Sequence, residues 1–471
     1  MARPMGDVIV LLPGIMGSVL QKDGTDVWSP SIGAITRGIF SLGGRLRDLE
    51  LTSDDVDDGV VATDVMPNVH LIPGFWKIDG YSTIRNYLHQ RFELRDGENY
   101  FEFPYDWRRD VRSPARQLEK QSGEWLRRWR EWSGNSDAKL VLIGHSMGGL
   151  VARHYLEVLG GWRDTRSLIT FGTPFGGSIN ALETLVEGVR KGPRGFIDLT
   201  DAVRSFPSVY QLLPTYPAYD PGDGNFVRVG EVDDIPNLDP VRASEALGFH
   251  REIANQMGQH LDEDDYRENG YRMFRIVGIK QPTKQSARLA DDKIDFSREY
   301  RGDDQLGDGT VPAVSAREAW ISEDNYPMYC STKHASLQSS NAILTQLSGV
   351  IHDLYFDPEP FRDVGPLGMR QTTVPKGLGL EVDDVYWHDE PVAIRLIGGE
   401  GEIELSATIS DAETGEKIVE QPVSSTQADE LEATFAPLPP GAYRVAISGA
   451  SHPEPIEDVF VVFEEGVEAE A

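Results

Sequence analysis

Ser146 lies at the centre of a glycine-flanked pentapeptide, Gly144-His145-Ser146-Met147-Gly148. A Gly-x-Ser-x-Gly segment presents a nucleophilic hydroxyl when a buried strand runs into the serine and a helix leaves it, because that sharp turn projects the side chain from the edge of a sheet. The apolar run at residues 139–143 predicts such a strand, and residues 150–158 predict an amphipathic helix. Glycine on both sides of the motif leaves room for the turn. These features predict that Ser146 is a catalytic nucleophile.

A serine hydroxyl reacts slowly at neutral pH unless a histidine accepts its proton and a carboxylate orients that histidine. In this type of sheet the acid and then the histidine follow the serine along the chain. Residues 271–278 predict a later strand, and Gly307-Asp308-Gly309 follows it with glycines that let the backbone turn and present a carboxylate. Asp303 and Asp304 are rival candidates in a charged run. We predict that Asp308 is the acid.

His334 is the predicted base, and the reasoning is by elimination. The chain has 10 histidines, and six of them precede Asp308. His352 falls in a predicted helix, while His388 and His452 fall in a strand-rich segment near the C-terminus. His334 follows the acid and lies in a predicted loop, so it completes a Ser-Asp-His triad.

Acyl transfer to a serine also needs N–H donors for the negatively charged oxygen of the tetrahedral intermediate. One donor normally belongs to the residue after the nucleophile, and the other belongs to the loop after an early strand. Met147 fills the first position. The strand predicted at residues 7–12 ends in Pro13-Gly14, which makes the backbone of Ile15 the predicted second donor. His145 is interpreted as a packing residue rather than as a second base.

The elements around these residues indicate an α/β fold. Apolar strands alternate with helices, the strands at residues 7–12, 139–143 and 168–171 and the helices at 82–92, 114–132 and 150–158. Such alternation is typical of a parallel sheet covered by helices on both faces. Residues 1–360 are therefore predicted to form a catalytic domain with the α/β-hydrolase fold.

Two long insertions, at about residues 21–77 and 175–273, interrupt the alternation. Segments of this length in a compact domain are often lids or binding surfaces. The second insertion carries apolar residues at the spacing of an amphipathic helix, namely Ile179, Leu182, Leu185 and Val189. Such a helix either packs on the core or forms part of a lid.

The chain changes character after about residue 365. Alternating β-branched runs bounded by turn residues predict strands at 392–397, 403–409, 431–435, 443–447 and 459–463. Residues 365–471 are therefore predicted to form a separate all-β, sandwich-like domain. This part has 22 acidic and 5 basic residues, a net charge of −17, which is more typical of a solubilising or spacing module than of a lipid-docking one. The sequence does not identify a protein partner for it.

The composition narrows the classes of function. A formal net charge of −31 repels nucleic acid and anionic lipid headgroups, so we expect no nucleic-acid partner and at most transient contact with a membrane surface. The single cysteine, Cys330, excludes an internal disulfide and a cysteine-based zinc site. The expected chemistry requires no cofactor. The apolar run at residues 8–12 is too short for a signal peptide or a membrane span, which makes a cytoplasmic location the expectation.

Six separate segments of the chain, taken together and in order, resemble the motifs of one protein family. They are Val10-Leu-Leu-Pro-Gly-Ile-Met-Gly-Ser18, Phe103-Pro-Tyr-Asp-Trp-Arg108, Ile143-Gly-His-Ser-Met-Gly-Gly-Leu-Val151, Phe171-Gly-Thr-Pro-Phe-Gly-Gly177, Gly307-Asp-Gly-Thr-Val-Pro312 and Lys333-His334-Ala335. In kind and in order they resemble the lecithin:cholesterol acyltransferase-like lipases and acyltransferases, over residues 7 to 337. The segment ending at Arg108 is more discriminating than the serine motif, which many unrelated esterases share.

The resemblance implies an acyl-ester substrate, often a phospholipid or another lipid, and an acyl-Ser146 intermediate that passes to water or to an alcohol acceptor. It implies the same triad and the same two N–H donors. Asp106 and Arg108 are interpreted as a structural charged pair near the pocket. Secreted animal members carry a signal peptide and disulfides, and the sequence shows neither, so cholesterol esterification on lipoproteins is not expected here.

Two other functions stay open at the level of sequence. One is a soluble carboxylesterase or thioesterase for smaller esters, in which the insertions only cap the pocket. The other is a recognition module that keeps the fold without turnover and binds a partner through its β-rich domain.

Overall fold

A computed structural model describes the chain over residues 2–29, 49–53, 57–67, 70–72, 76–78, 80–191, 197–291, 293–316, 327–354, 378–397, 405–412, 414–427, 430–449 and 452–463. Its central sheet has six parallel strands, which we number β1 to β6 in chain order: Val8–Leu12, Tyr100–Glu102, Leu140–His145, Thr165–Phe171, Arg272–Gly278 and Met328–Cys330. Their spatial order is β6-β5-β4-β3-β1-β2. The predicted α/β class is confirmed.

The described residues also form helices, some of which pack on this sheet. Their bounds are Ser82–Arg91, Arg112–Ser133, Met147–Glu157, Ile179–Glu187, Thr200–Ser205, Pro207–Tyr210, Pro240–His260, Asp264–Asn269, Ala313–Ala316 and Asn341–Asp353. Every residue of β1 and β3 is buried, which requires cover on both faces. The helix after Ser146 begins at Met147, three residues before the predicted start, because its first turn contains glycines that apolar periodicity does not register.

The direction in which strands are added to the sheet changes at β1, which has β2 on one side and β3 on the other. The chain goes from β1 to β2 on one side and then crosses to β3 on the other, so the carboxyl ends of β1 and β3 are adjacent. Leu12 at the end of β1 is paired with Gly144 near the end of β3. In open α/β sheets, ligands bind in the crevice at such a reversal. The loop after β1 therefore lies beside the turn that carries Ser146.

The insertions have their own local structure. The first contains an antiparallel sheet, Ser18–Lys22, Thr25–Trp28 and Val60–Val65, and a strand pair, His70–Ile72 with Trp76–Ile78, while residues 30–48 lie outside the described ranges. In the second, Ile179, Leu182 and Leu185 have no exposed surface. This helix therefore packs on the core, and Val189 follows its end. Further short strands lie between residues 190 and 297, outside the central sheet. They are Arg190–Lys191, Ile197–Asp198, Tyr219–Asp220, Ser286–Ala290 and Lys293–Ser297.

The C-terminal part is all-β. One sheet has the order Gly379–Val382, Val392–Ile397, Glu430–Phe435 and Ser424–Gln427, and the other has the order Val385–Trp387, His452–Phe463, Gly441–Gly449, Leu405–Asp411 and Lys417–Pro422. Ile394 from the first sheet and Phe460 from the second belong to one apolar core, so the sheets face each other. We call residues 378–463 the C-terminal sandwich. The predicted boundary at residues 360–365 falls outside the described ranges.

The Asp106–Arg108 pair is part of a buried network. Arg108 has no exposed surface, and its guanidinium donates to both carboxylate oxygens of Asp106, at 2.9 and 2.7 Å. The same guanidinium lies 2.9 Å from a carboxylate oxygen of Asp58 and donates to the carbonyl of Leu49 at 3.1 Å. Because these partners belong to the first insertion, the network ties that insertion to the segment after β2.

Candidate active site

Ser146 connects β3 directly to the helix that begins at Met147. Its φ of 50° lies in the left-handed region, which a non-glycine residue keeps only when the surrounding structure imposes it. The turn is tight: a Cβ on Gly148 would lie 2.5 Å from the carbonyl oxygens of Leu12 and Pro13. Glycine at this position lets the helix start pack directly on the loop after β1.

Ser146, Asp308 and His334 lie in one hydrogen-bonded chain. His334 Nε2 is 2.9 Å from Ser146 Oγ, and His334 Nδ1 is 2.7 Å from Asp308 Oδ2. All three are buried, with at most 3% of any of them exposed. An imidazole in this position can accept the serine proton while the carboxylate orients the ring. The rival Asp304 lies elsewhere and accepts a hydrogen bond from the side chain of Gln285.

The two carboxylate oxygens of Asp308 have separate partners. Oδ1 accepts the N–H groups of Thr310 at 2.9 Å and Val311 at 2.7 Å, which leaves Oδ2 for His334. The turn needs Gly309, whose φ is 93°. The backbone N–H of His334 donates to the carbonyl of Asp308 at 2.9 Å. The acid and the histidine are therefore joined through main chain as well as side chain.

Gly172, the first residue after β4, lies directly against the Asp308–His334 pair. A Cβ added there would lie 2.8 Å from Asp308 Oδ2 and 2.9 Å from His334 Nδ1, both shorter than ordinary contacts between a Cβ and its neighbours. Its φ of +56° also disfavours a side chain. The glycine in the segment Phe171-Gly-Thr-Pro therefore leaves space for the hydrogen bond between acid and histidine.

Replacing Gly172 with alanine is expected to displace the histidine and to lower kcat for ester hydrolysis by about ten- to hundredfold, because small displacements of reacting groups cost factors of this size. Hydrolysis of a chromogenic ester, measured alongside circular dichroism, checks this. Gly123→Ala is the matched control, since this glycine lies in helix Arg112–Ser133 with open space around it. An unchanged kcat in a folded Gly172→Ala protein would contradict the prediction.

His145 and Tyr81 form a second hydrogen-bonded chain beside the first. Burial and the neighbouring His334 lower the pKa of His145 to about 3, so its ring is neutral, with one donor and one acceptor nitrogen. The Tyr81 hydroxyl accepts the N–H of Gly14 at 2.7 Å and lies 2.8 Å from His145 Nδ1, to which it donates its proton. His145 Nε2 then donates to the carbonyl of His334 at 3.1 Å.

This second chain connects the loop after β1 to the backbone of the histidine. Sequence reasoning assigned His145 to packing alone and did not single out Tyr81. Tyr81 is 64 residues from His145 along the chain, and no local pattern marks a tyrosine as the partner of a distant imidazole. Only the fold brings the two together.

Tyr81→Phe is expected to lower kcat about tenfold with little change in KM, because a buried N–H on Gly14 and the acceptor nitrogen of His145 lose their partner. Steady-state kinetics and a thermal unfolding curve for the same samples test this. Tyr87→Phe is the control, since the hydroxyl of Tyr87 makes a long, 3.3 Å hydrogen bond to Ser348 and has no described contact with His145. Equal kinetics for both variants would show that the Tyr81 hydroxyl is dispensable.

The predicted N–H donors, Ile15 and Met147, are buried, and they follow the neighbouring parallel strands β1 and β3. A Cβ on Gly14 would lie 3.0 Å from Ser146 Cβ, which places this loop against the nucleophile turn. Because Tyr81 occupies the N–H of Gly14, Ile15 carries the next amide along the loop. Met147 is in the first helical turn, where the N–H groups have no carbonyl partner within the helix.

The described residues contain no group of three or more His, Cys, Asp or Glu side chains arranged to hold a metal ion. Across the same ranges, no helix has both the length and the apolar character needed to cross a membrane.

The sheet order and the strand–serine–helix turn define an α/β-hydrolase fold. Residues 75–231 match the family model of lecithin:cholesterol acyltransferase. The chain is also 24% identical over 323 residues to phosphatidylcholine-sterol acyltransferase of Mus musculus, covering 62% of this chain and 70% of that protein. These matches confirm the resemblance seen in the motifs: the chain is similar to the lecithin:cholesterol acyltransferase-like lipases and acyltransferases.

Solved structures of bacterial enzymes also show some similarity. The mature lipase BlEst2 of Bacillus licheniformis is 12% identical, with 74% of this chain and 94% of that chain covered and a TM-score of 0.33. Phospholipase PlaB of Legionella pneumophila is 11% identical, with 97% and 93% covered and a TM-score of 0.34.

Proposed function

We propose that this chain is a serine-dependent acyl hydrolase or O-acyltransferase that acts on lipid esters through an acyl-Ser146 intermediate. The observation that carries the proposal is the continuous chain from Ser146 Oγ to His334 Nε2, at 2.9 Å, and from His334 Nδ1 to Asp308 Oδ2, at 2.7 Å. This arrangement suits proton removal from a serine that attacks a carbonyl carbon.

The acylation step follows from this geometry. Ser146 Oγ attacks the ester carbonyl carbon while His334 Nε2 takes the hydroxyl proton, and the imidazolium is stabilised by Asp308. The N–H groups of Ile15 and Met147 are assigned to the negatively charged carbonyl oxygen. When the tetrahedral intermediate collapses, the ester C–O bond breaks and the departing alcohol takes the proton from His334. The acyl group stays on Ser146.

Deacylation repeats the steps with a new nucleophile. Water or an alcohol gives its proton to His334 and attacks the acyl-Ser146 carbonyl, which releases a free acid or a new ester and returns the proton to Ser146 Oγ. The chemistry of the two acceptors is the same, so the outcome depends on which acceptor is bound and how well water is excluded.

Two features support a lipid ester rather than a small soluble ester as the substrate, and a third bears on the charge of its headgroup. The mouse relative is, by its name, a phosphatidylcholine-sterol acyltransferase. Ser146 has no exposed surface, which suits an ester that reacts in a site shielded from water. The net charge of −31 favours neutral and zwitterionic headgroups over anionic ones.

A fluorophosphonate probe is expected to label the wild-type protein at Ser146, because the probe captures a serine activated by a histidine. Ser146→Ala should abolish labelling and ester hydrolysis. Ser122→Ala is the matched control, since Ser122 is equally buried but bonds to Tyr155 away from the crevice. Loss of labelling in the control, or persistence of labelling in folded Ser146→Ala protein, would refute Ser146 as the nucleophile.

A panel of lipids distinguishes the substrate classes. We expect fatty acid release from phosphatidylcholine vesicles, with slower release when anionic phosphatidylglycerol is mixed in, and formation of a fatty ester when a long-chain alcohol is added. Free acid and ester are measured together. A strict preference for short-chain soluble esters would favour the soluble esterase instead, and an alcohol that never receives the acyl group would remove the transferase activity from the proposal.

A further inference from the structure

The C-terminal sandwich contacts the segment that carries the histidine. Lys333, the residue before His334, pairs through its ammonium group with Asp458 on the long strand His452–Phe463. Asp458 is only 1% exposed, and its other carboxylate oxygen accepts the N–H of Val459 at 2.9 Å. A carboxylate buried to this degree needs a cation partner, so its position strongly restrains the side chain of Lys333.

Gln281 makes a second link between the same regions. Its side-chain oxygen accepts the N–H of Leu380 in the sandwich at 3.2 Å, and its side-chain nitrogen donates to the carbonyl of Ser331 at 2.6 Å. Its backbone N–H donates to the carbonyl of Gly307, next to the acid, at 3.0 Å. One buried glutamine therefore joins the sandwich, the acid turn and the start of the segment leading to His334.

We call residues 331–334 the histidine loop; it runs from the end of β6 at Cys330 to the base itself. Beside its contact with the sandwich is a cleft of about 710 Å³, lined by His334 and Asp308 on one side and by Leu380 and Asp458 on the other. Lys333 and Asp458 both line this cleft, so their ion pair lies beside the acid and the histidine.

We propose that Lys333 and Asp458 are positioning residues, through which the C-terminal sandwich holds the histidine loop so that His334 stays in line with Ser146. This assigns to the acidic sandwich a part in catalysis rather than only in solubility. It rests on the proposed function for its kinetic consequence, but the effect on the loop itself is independent of any activity.

The main test is the paired variant Lys333→Met/Asp458→Asn in the full-length protein, which removes the link without leaving an unpaired buried charge. Expected results are a fall in kcat of about tenfold or more with KM within about twofold, since misplacement of a catalytic group affects the transition state more than substrate binding. Lys333→Arg should keep near wild-type kcat, because arginine can still pair with Asp458.

Glu381→Gln is the matched control. Glu381 also lies in the sandwich and pairs across to Arg298 of the catalytic part, but this contact does not involve the histidine loop. The control should leave kcat unchanged. If it lowers kcat as much as the paired variant does, general weakening of the interface is responsible, and the specific role of Lys333 and Asp458 is overturned.

Hydrogen–deuterium exchange provides the readout that does not depend on activity. Peptides covering residues 331–337 should exchange faster in the paired variant than in the wild type or in Glu381→Gln, because the N–H of His334 is bonded to Asp308 only while the loop keeps its position. Unchanged exchange overturns this inference. An inactive, unlabelled wild-type protein with faster exchange in the paired variant would instead refute the proposed function and leave the positioning role supported.

Discussion

A serine with a φ of 50° stays between a strand and a helix only when nothing larger than glycine crowds the turn. Gly148 meets this requirement, and its lack of a side chain lets the helix start touch the carbonyls that end β1. The same contact places the loop after β1 beside Ser146, as the pairing of Leu12 with Gly144 requires. The position of the proposed nucleophile and that of the proposed N–H donors thus depend on the same close contact between two segments of backbone.

In the rest of the site, the buried polar groups of Asp308 and His145 each have specific hydrogen-bond partners. Asp308 gives one oxygen to backbone N–H groups and the other to His334, so the carboxylate cannot rotate without losing both sets of bonds. His145 is kept neutral by burial and connects Tyr81 to the backbone of His334. In a buried site each lost partner costs free energy, and these bonds therefore hold the reacting groups in one geometry.

The C-terminal sandwich extends this arrangement beyond the central sheet. β6, which leads into His334, is a three-residue strand, and within the described ranges it lies at the edge of the sheet and pairs with β5 alone. Because a short edge strand restrains the loop after it only weakly, the contacts from Asp458 and Leu380 add restraint that the sheet does not supply. The sandwich is strongly acidic, but the carboxylate that contacts the histidine loop, that of Asp458, is buried.

The sequence by itself determined the α/β class, the strand–serine–helix turn and the identity of the three residues that meet at the site, because each depends on local pattern or on order along the chain. It also located the all-β C-terminal part but missed four of its strands, Gly379–Val382, Val385–Trp387, Lys417–Pro422 and Ser424–Gln427. All four are edge strands, which are short and half-solvated, so their residues carry little alternation.

Only the tertiary structure decided which distant groups touch. The bond from Tyr81 to His145, the space that Gly172 leaves for the acid and the histidine, and the pairing of Lys333 with Asp458 join residues that are far apart in the chain. A contact between such residues produces no periodic pattern in the sequence. In the sequence, Tyr81, Gly172 and Lys333 resemble an ordinary buried tyrosine, a turn glycine and a surface lysine. Their roles become visible once the fold brings the partners within contact.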